Sequence, residues 1–275
     1  MRLLKITFVK EADVEILKKH VCNTLKLRRK CELDRKNLIQ FLMECDKQKE
    51  MLTDEAILSQ VAGLFLASFD TPANLLAVLA YELAINQDIQ DKLIKEVDEI
   101  LKKCTNELSK TILVYLQLEL GIVLPFLITE TLRLWPTTTF TDRVSVKPYM
   151  IQPKTENEKP LQVDVGTYFW LPIYALHRDP KYFPNPTKFD PERFADKNKE
   201  KIQPYTFIPF GIGPRGCIAS RFALLETKVI IFHILSKFRI ATVEETEMPF
   251  MLSKKSINAV SDSGPVLGLQ MRKTQ

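Results

Sequence analysis

One short stretch concentrates the residue types that could do chemistry: Phe210, Gly211, Gly213, Arg215, Gly216 and Cys217. Phe210, Gly213, Arg215 and Cys217 at these spacings would arise by chance with odds on the order of 10⁻⁶–10⁻⁵ per window at average residue usage. The types suit one task. A cysteine at the first turn of a helix meets the positive end of the dipole and unpaired N–H groups, which favour its thiolate as a nucleophile or metal ligand. Glycines let the preceding backbone turn sharply and come close to a flat ligand. Arg215 offers a fork of donors for a carboxylate.

Two further groupings stand out. Glu130 and Arg133 are three apart in a strongly apolar setting of Leu127, Ile128, Leu132, Leu134 and Trp135. Buried charges there must pair, and Arg193 is the candidate to complete a network that shapes the fold and takes no part in bond-making. The same spacing in Glu32 and Arg35 reads as an exposed pair worth a few tenths of a kcal/mol. Asp70 and Thr71 sit within an apolar stretch, where a polar pair is costly unless hydrogen-bonded or hydrated. The residues alone leave them equally a satisfied core pair or a functional one. His177 reads as a turn or core histidine rather than a catalyst.

The elements that position these residues follow from periodicity and punctuation. A long helix is expected from an N-cap at Thr53, with Asp54 and Glu55 in its first turn, to about Asn86, roughly 50 Å at 1.5 Å per residue. Its Val61–Phe69 middle is apolar nearly all round, which predicts a path through the interior. Pro72 cannot donate to the carbonyl of residue 68 and should open the helix there. Further helices are expected from Asp91 to Cys104, from Pro125 to Trp135, and from Cys217 to about Leu235. Of 16 prolines, twelve lie between Pro136 and Pro214. They forbid long helices there, leaving short strands around Val144, Val146, Val163, Val165 and Tyr168–Leu171. The tail from Phe238 reads as one or two strands.

Composition narrows the classes. With 275 residues, 45% hydrophobic and 27% charged, the chain suits a globular protein and excludes a disordered tail or a disulfide miniprotein. A net charge of +5 without basic–aromatic clusters gives no nucleic-acid signature. Five scattered cysteines, Cys22, Cys31, Cys45, Cys104 and Cys217, argue for a reducing compartment, and His20, His177 and His233 have no metal-ligand spacing. The N-terminal ten residues are too short and too charged for a signal peptide or anchor. The apolar run Thr111–Thr129 is interrupted by Gln117, Glu119 and Pro125 and reads as buried core, since a mid-span carboxylate costs about 2.5–3.5 kcal/mol in a membrane.

The cysteine stretch resembles the haem-binding loop of the cytochrome P450 family, F-x-x-G-x-R-x-C-x-G, with Ala219 in place of the last glycine. Glu130-Thr-Leu-Arg133 resembles that family's E-x-x-R, and Pro191-Glu-Arg193-Phe194 its P-E-R-F. Asp142-Arg143-Val144, Leu176-His-Arg-Asp-Pro180 and Phe183-Pro-Asn-Pro186 resemble further landmarks, in wording closest to insect microsomal members. Ala67-Ser68-Phe69-Asp70-Thr71-Pro72 resembles the oxygen-binding A-G-x-(D/E)-T-T stretch, with Ser68 for glycine. Ser109–Leu124 departs from the family pattern.

The resemblance covers about Leu33 to Lys273, the family's C-terminal half. It implies a mainly α fold with a small β part (α+β). Residues 1–135 would be a helical part carrying the oxygen-site helix. Residues 136–216 would be irregular strands, meander and cysteine loop, and residues 217–275 a proximal helix and β tail. The implied cofactor is haem b, with Cys217 as axial thiolate and metal ligand. Phe210, Gly211, Gly213 and Ala219 would form its cradle, and Arg215 and Arg143 would contact its propionates. Asp70 and Thr71 would deliver protons, and Glu130, Arg133 and Arg193 would form the structural triad.

The implied reaction inserts one oxygen atom from O2 into a small lipophilic substrate, with electrons from an NADPH-dependent flavoprotein reductase that could dock near Arg221 and Lys228. Leu64–Phe69, Thr137–Phe140 and Ile257–Val260 would line the pocket. The implied location is the cytosolic face of the endoplasmic reticulum membrane, the family's N-terminal anchor having no counterpart in this chain. An alternative of another class is a truncated or degenerate member that holds no haem and is inactive. A peroxide-using isomerase on the same scaffold is disfavoured by the presence of Asp70 and Thr71.

Overall fold

The structure, a computed structural model, describes residues 11–31, 37–45, 53–103, 123–254, 256, 261 and 264–273. Glu32–Arg35, Cys104, most of Ser109–Leu124 and Ile257–Val260 lie outside them. The chain divides into two compact units, residues 1–70 and 71–275.

The first unit holds α1 (Glu11–Cys31), α2 (Leu38–Cys45) and the beginning of α3 (Asp54–Ile85). Val21 and Leu25 of α1, Leu42 of α2 and Ile57 of α3 form its small core. Thr53 caps α3 as its sequence position predicts, its Oγ1 accepting the N–H of Ala56 at 3.2 Å. A two-pronged contact from Arg29 to Asp54, at 2.6 and 3.0 Å, holds that carboxyl below the usual carboxylate range.

The apolar middle of α3 departs from expectation. Phe65 is 61% exposed and Phe69 76%, so this stretch does not run through an interior built from the described residues. Apolar periodicity fixes what a face needs, and the described residues do not supply the cover. Nor does Pro72 break the helix, which runs unbroken to Ile85. One missing N–H in a 32-residue helix leaves the flanking bonds to carry the turn. By length and composition α3 could cross a membrane. Its C-terminal part, however, gives Leu75, Leu79 and Leu83 to the second unit's core, as a core helix does.

That core joins α3 to α4 (Gln87–Lys103), α5 (Val123–Leu134) and the long α8 (Ser220–Lys237). In α4, Leu93, Val97 and Ile100 recur at helical spacing and are buried. Gln90 is buried on the same face because its amide is fully used. It donates to the carbonyls of Leu83 and Ile240, both at 2.8 Å, and accepts the N–H of Ile240 at 2.8 Å. This fixes β5 (Phe238–Ala241) against the end of α3. The helix α5 begins at Val123, two residues before the expected Pro125, because the Glu96 carboxylate of α4 accepts the Val123 N–H at 2.9 Å. An acid at that end also suits the helix dipole.

The proline-rich middle folds into short pieces, with strands at Val144, Val163 and Tyr168–Leu171 as expected, whereas Val146 and Val165 fall in the turns that join strands. Strand β1 (Thr141–Val144) pairs antiparallel with β4 (Tyr168–Leu171), and β2 (Tyr149–Ile151) with β3 (Leu161–Val163). Only brief helices interrupt this region: α6 (Ile173–Leu176), 3-10 turns at Pro191–Phe194 and Gly213–Arg215, and α7 (Asp196–Lys199). At the end of the chain β5 pairs with β6 (Gly268–Met271). Among the described residues the fold is mainly helical with three small antiparallel sheets.

Candidate functional site

The cysteine loop is shaped by two glycines. Gly211 has φ +70° and Gly213 φ +73°, the left-handed region where a side chain is strained. A Cβ on Gly213 would meet nothing within 4 Å, so backbone conformation rather than crowding demands glycine there. The turn brings the Cys217 N–H to the Phe210 carbonyl at 2.8 Å. Cys217 therefore precedes α8, which starts at Ser220, instead of opening it. The cysteine is exposed, as are Arg215 and Ile218. Ala219 stands as N-cap of α8 with φ −96°, a value open to any residue, so alanine replaces glycine there without backbone strain.

Arg143 reaches this loop from β1. Its guanidinium donates to Thr141 Oγ1 at 3.1 Å and the Asp142 carbonyl at 2.7 Å, and weakly to the Ile212 carbonyl at 3.3 Å. The loop thus presents a thiol, an apolar edge in Ile212 and Ile218, and two guanidinium groups. That donor set fits a flat apolar group carrying a metal and carboxylates, which is what haem requires.

The structure also brings Glu130, Arg133 and Arg193 together. Glu130 and Arg133 are fully buried on α5 and joined by two bonds, Nε to Oε2 at 2.7 Å and Nη2 to Oε1 at 2.8 Å. Arg193 Nε stands 3.6 Å from Glu130 Oε1. The remaining Arg133 donors bind the carbonyls of His177 (2.9 Å), Pro186 (2.8 Å) and Lys188 (3.3 Å). Glu130 also accepts the Asp190 N–H at 2.9 Å. One ion pair therefore organises three turns of the proline-rich segment. Asp70 is exposed and Thr71 half-buried in α3. Asp70 closes the first unit and Thr71 opens the second.

Two buried groups were not singled out as a site from sequence. One is His177, which has no exposed surface. Glu82, 3% exposed, accepts from Trp135 Nε1 at 2.7 Å and Asn86 Nδ2 at 3.1 Å. Arg178 lies over the Trp135 ring at 4.8 Å. Burial pushes the Glu82 carboxyl up to about 7, against the pull of the Trp135 bond. The signal was present: Leu75, Leu79 and Glu82 follow at i, i+4 and i+7, which puts a carboxyl on the core face.

A raised carboxylate pKa stabilises the fold fully below the unfolded value and loses that contribution as pH rises through about 7. Glu82→Gln should therefore raise the unfolding midpoint relative to wild type at pH 8, by up to about 3 kcal/mol in free energy, with no gain at pH 4.5. Thermal unfolding of both proteins at the two pH values checks this. An equal shift at both would refute the burial argument.

The cytochrome P450 family model matches residues 7–266, starting upstream of the point where the motifs alone placed the resemblance. The chain is 36% identical to "Cytochrome P450 9e2" of Blattella germanica over 100% of its own length and 53% of the relative's. It is 36% identical to "Probable cytochrome P450 9f2" of Drosophila melanogaster, over 91% of the chain and 49% of the relative. Against "Cytochrome P450 3A17" of Cavia porcellus the identity is 36%, covering 82% and 43%. The chain thus spans about half the length of the curated relatives it matches. With nearly the whole sequence inside one family match, and the cysteine loop and buried glutamate–arginine pair built in the same unit, the chain belongs to the cytochrome P450 family.

Proposed function

We propose that this chain supplies the cysteine-bearing half of a haem-dependent monooxygenase. The whole protein would insert one oxygen atom from O2 into a small lipophilic substrate. An NADPH-dependent flavoprotein reductase would supply the electrons, at the cytosolic face of the endoplasmic reticulum membrane. The observation that carries the reading is the exposed Cys217, held by backbone bonds in a left-handed glycine loop with Arg215 and Arg143 beside it.

Haem held through Cys217 would supply oxygen activation, with the sulfur's electron density favouring O–O cleavage. The chain's own residues do the rest. Arg215 and Arg143 would bind the carboxylates that orient a flat ligand. Phe210, Gly211, Gly213 and Ala219 would form the surface against which it lies. By the resemblance of their stretch on α3, Asp70 and Thr71 would supply protons to the reaction. Glu130, Arg133 and Arg193 touch none of the reacting atoms and hold the loop's surroundings in place.

The test is a ferrous–CO spectrum of the chain titrated with haem to saturation. Binding should be weak, and the bound form should show the red-shifted Soret band of a thiolate ligand. An ordinary haem-protein band overturns thiolate ligation. No bound haem at any concentration supports the second reading, a truncated or degenerate member without chemistry. That reading is favoured by the exposure of Phe65 and Phe69 on the helix assigned to the oxygen site.

A further inference from the structure

One side chain joins the buried ion pair to the cysteine loop. His177 follows α6 and has no exposed surface, its ring packed against Phe183 and Phe207 with centroids at 6.3 and 5.2 Å. Its carbonyl accepts Arg133 Nη1 at 2.9 Å, and its Nε2 accepts the N–H of Ile208 at 2.9 Å. The Ile208 carbonyl in turn accepts the Gly211 N–H at 3.0 Å, and the Phe210 carbonyl accepts the Cys217 N–H at 2.8 Å. A residue that merely fills space would need no particular nitrogen bare. Here Nε2 must be an acceptor, which puts the proton on Nδ1. Nδ1 makes no well-formed bond and lies toward the backbone of Leu132 and Arg133.

We propose that His177 is a positioning residue which, as a neutral imidazole with a bare Nε2, anchors the Ile208–Cys217 loop to Arg133 and so fixes where the Cys217 thiol stands. The haem readout below rests on the function proposed above; the anchoring rests on the hydrogen bonds alone. Burial pushes the imidazole down to about 4, and the Arg133 charge adds to the effect. The charges around it are Arg133 on α5 and, through that side chain, Glu130 and Arg193; Phe183 and Phe207 bring none. Protonation would turn Nε2 into a donor facing a donor, so acid releases the loop.

The experiment is amide hydrogen–deuterium exchange of the 275-residue chain, read by mass spectrometry on peptides covering residues 206–218, with α8 as internal control. His177→Leu removes the acceptor and should speed exchange of the loop roughly tenfold at neutral pH while α8 is unchanged, the effect of losing one buried bond. His177→Gln keeps an acceptor at the same reach and should stay near wild type. Should the leucine variant fail to fold, His177→Asn, whose amide is too short to reach Ile208, takes its place with the same expected outcome. Wild-type loop exchange should also exceed the pH-driven baseline on acidification toward pH 4, and that of His177→Gln should not.

In haem-loaded chain, the leucine or asparagine variant should move the ferrous–CO spectrum from the thiolate band toward the ordinary one, and the glutamine variant should not. Equal loop exchange in the acceptor and non-acceptor variants overturns the proposal, as does an equal rise in α8. A wild-type protein without a thiolate band would sink the Cys217 reading while the exchange rates still decide the role of His177.

Discussion

Arg133→Met is expected to lower the unfolding free energy of the second unit by about 3–5 kcal/mol, the loss typical of a buried ion pair robbed of one partner. Methionine fills most of the volume, so little of the effect comes from a cavity. The damage is electrostatic. Glu130, with no exposed surface, would lose both of its short bonds to Arg133, and Arg193 at 3.6 Å is too far to replace them. The carbonyls of His177, Pro186 and Lys188 lose their donor at the same time. Since single domains keep only about 5–15 kcal/mol in hand, the variant should be largely unfolded near physiological temperature. Denaturant titration followed by circular dichroism gives the number. The double variant with Glu130→Gln should recover part of the loss, because the unpaired carboxyl is gone. A loss under about 1 kcal/mol for the single variant would mean the pair is solvated and the burial argument wrong.

That pair was legible in the sequence because its context was local: charges at i and i+3 flanked by five apolar residues. The start of α3 was legible for the same reason, through the Thr53 cap and the acids behind it. So was the ban on long helices between Pro136 and Pro214. What the sequence hid depends on partners far along the chain. The start of α5 is set by Glu96, 27 residues away, and the burial of Gln90 by a strand 150 residues downstream. His177 reads rightly as a turn or core residue, but nothing near it announces that Ile208 will present an N–H to its ring. Cys217 looked like the first residue of a helix because periodicity runs through it; the two left-handed glycines pull it out. The exposure of Phe65 and Phe69 was hidden in another way. Their apolar faces state a need for cover, and no local pattern says which segment meets it.

Cys217→Ala should abolish the thiolate-type ferrous–CO band completely while leaving the fold intact, and the second half of that statement gives the test its force. The bond that closes the loop runs from the Cys217 N–H to the Phe210 carbonyl, and alanine keeps it. The side chain is exposed, so truncation leaves no cavity and should change stability by no more than about 0.5 kcal/mol. Gly211 and Gly213 still fix the turn. The substitution therefore removes a sulfur and almost nothing else. A spectral loss with an unchanged unfolding curve assigns ligation to that atom, whereas loss of both would reflect a damaged loop. Cys22→Ala is the matched control: Cys22 is the other free cysteine among the described residues, half-buried on α1 in the first unit, and its removal should leave the band unchanged. If the red-shifted band survives in Cys217→Ala, another group holds the iron, and the loop's glycines and arginines serve some other ligand.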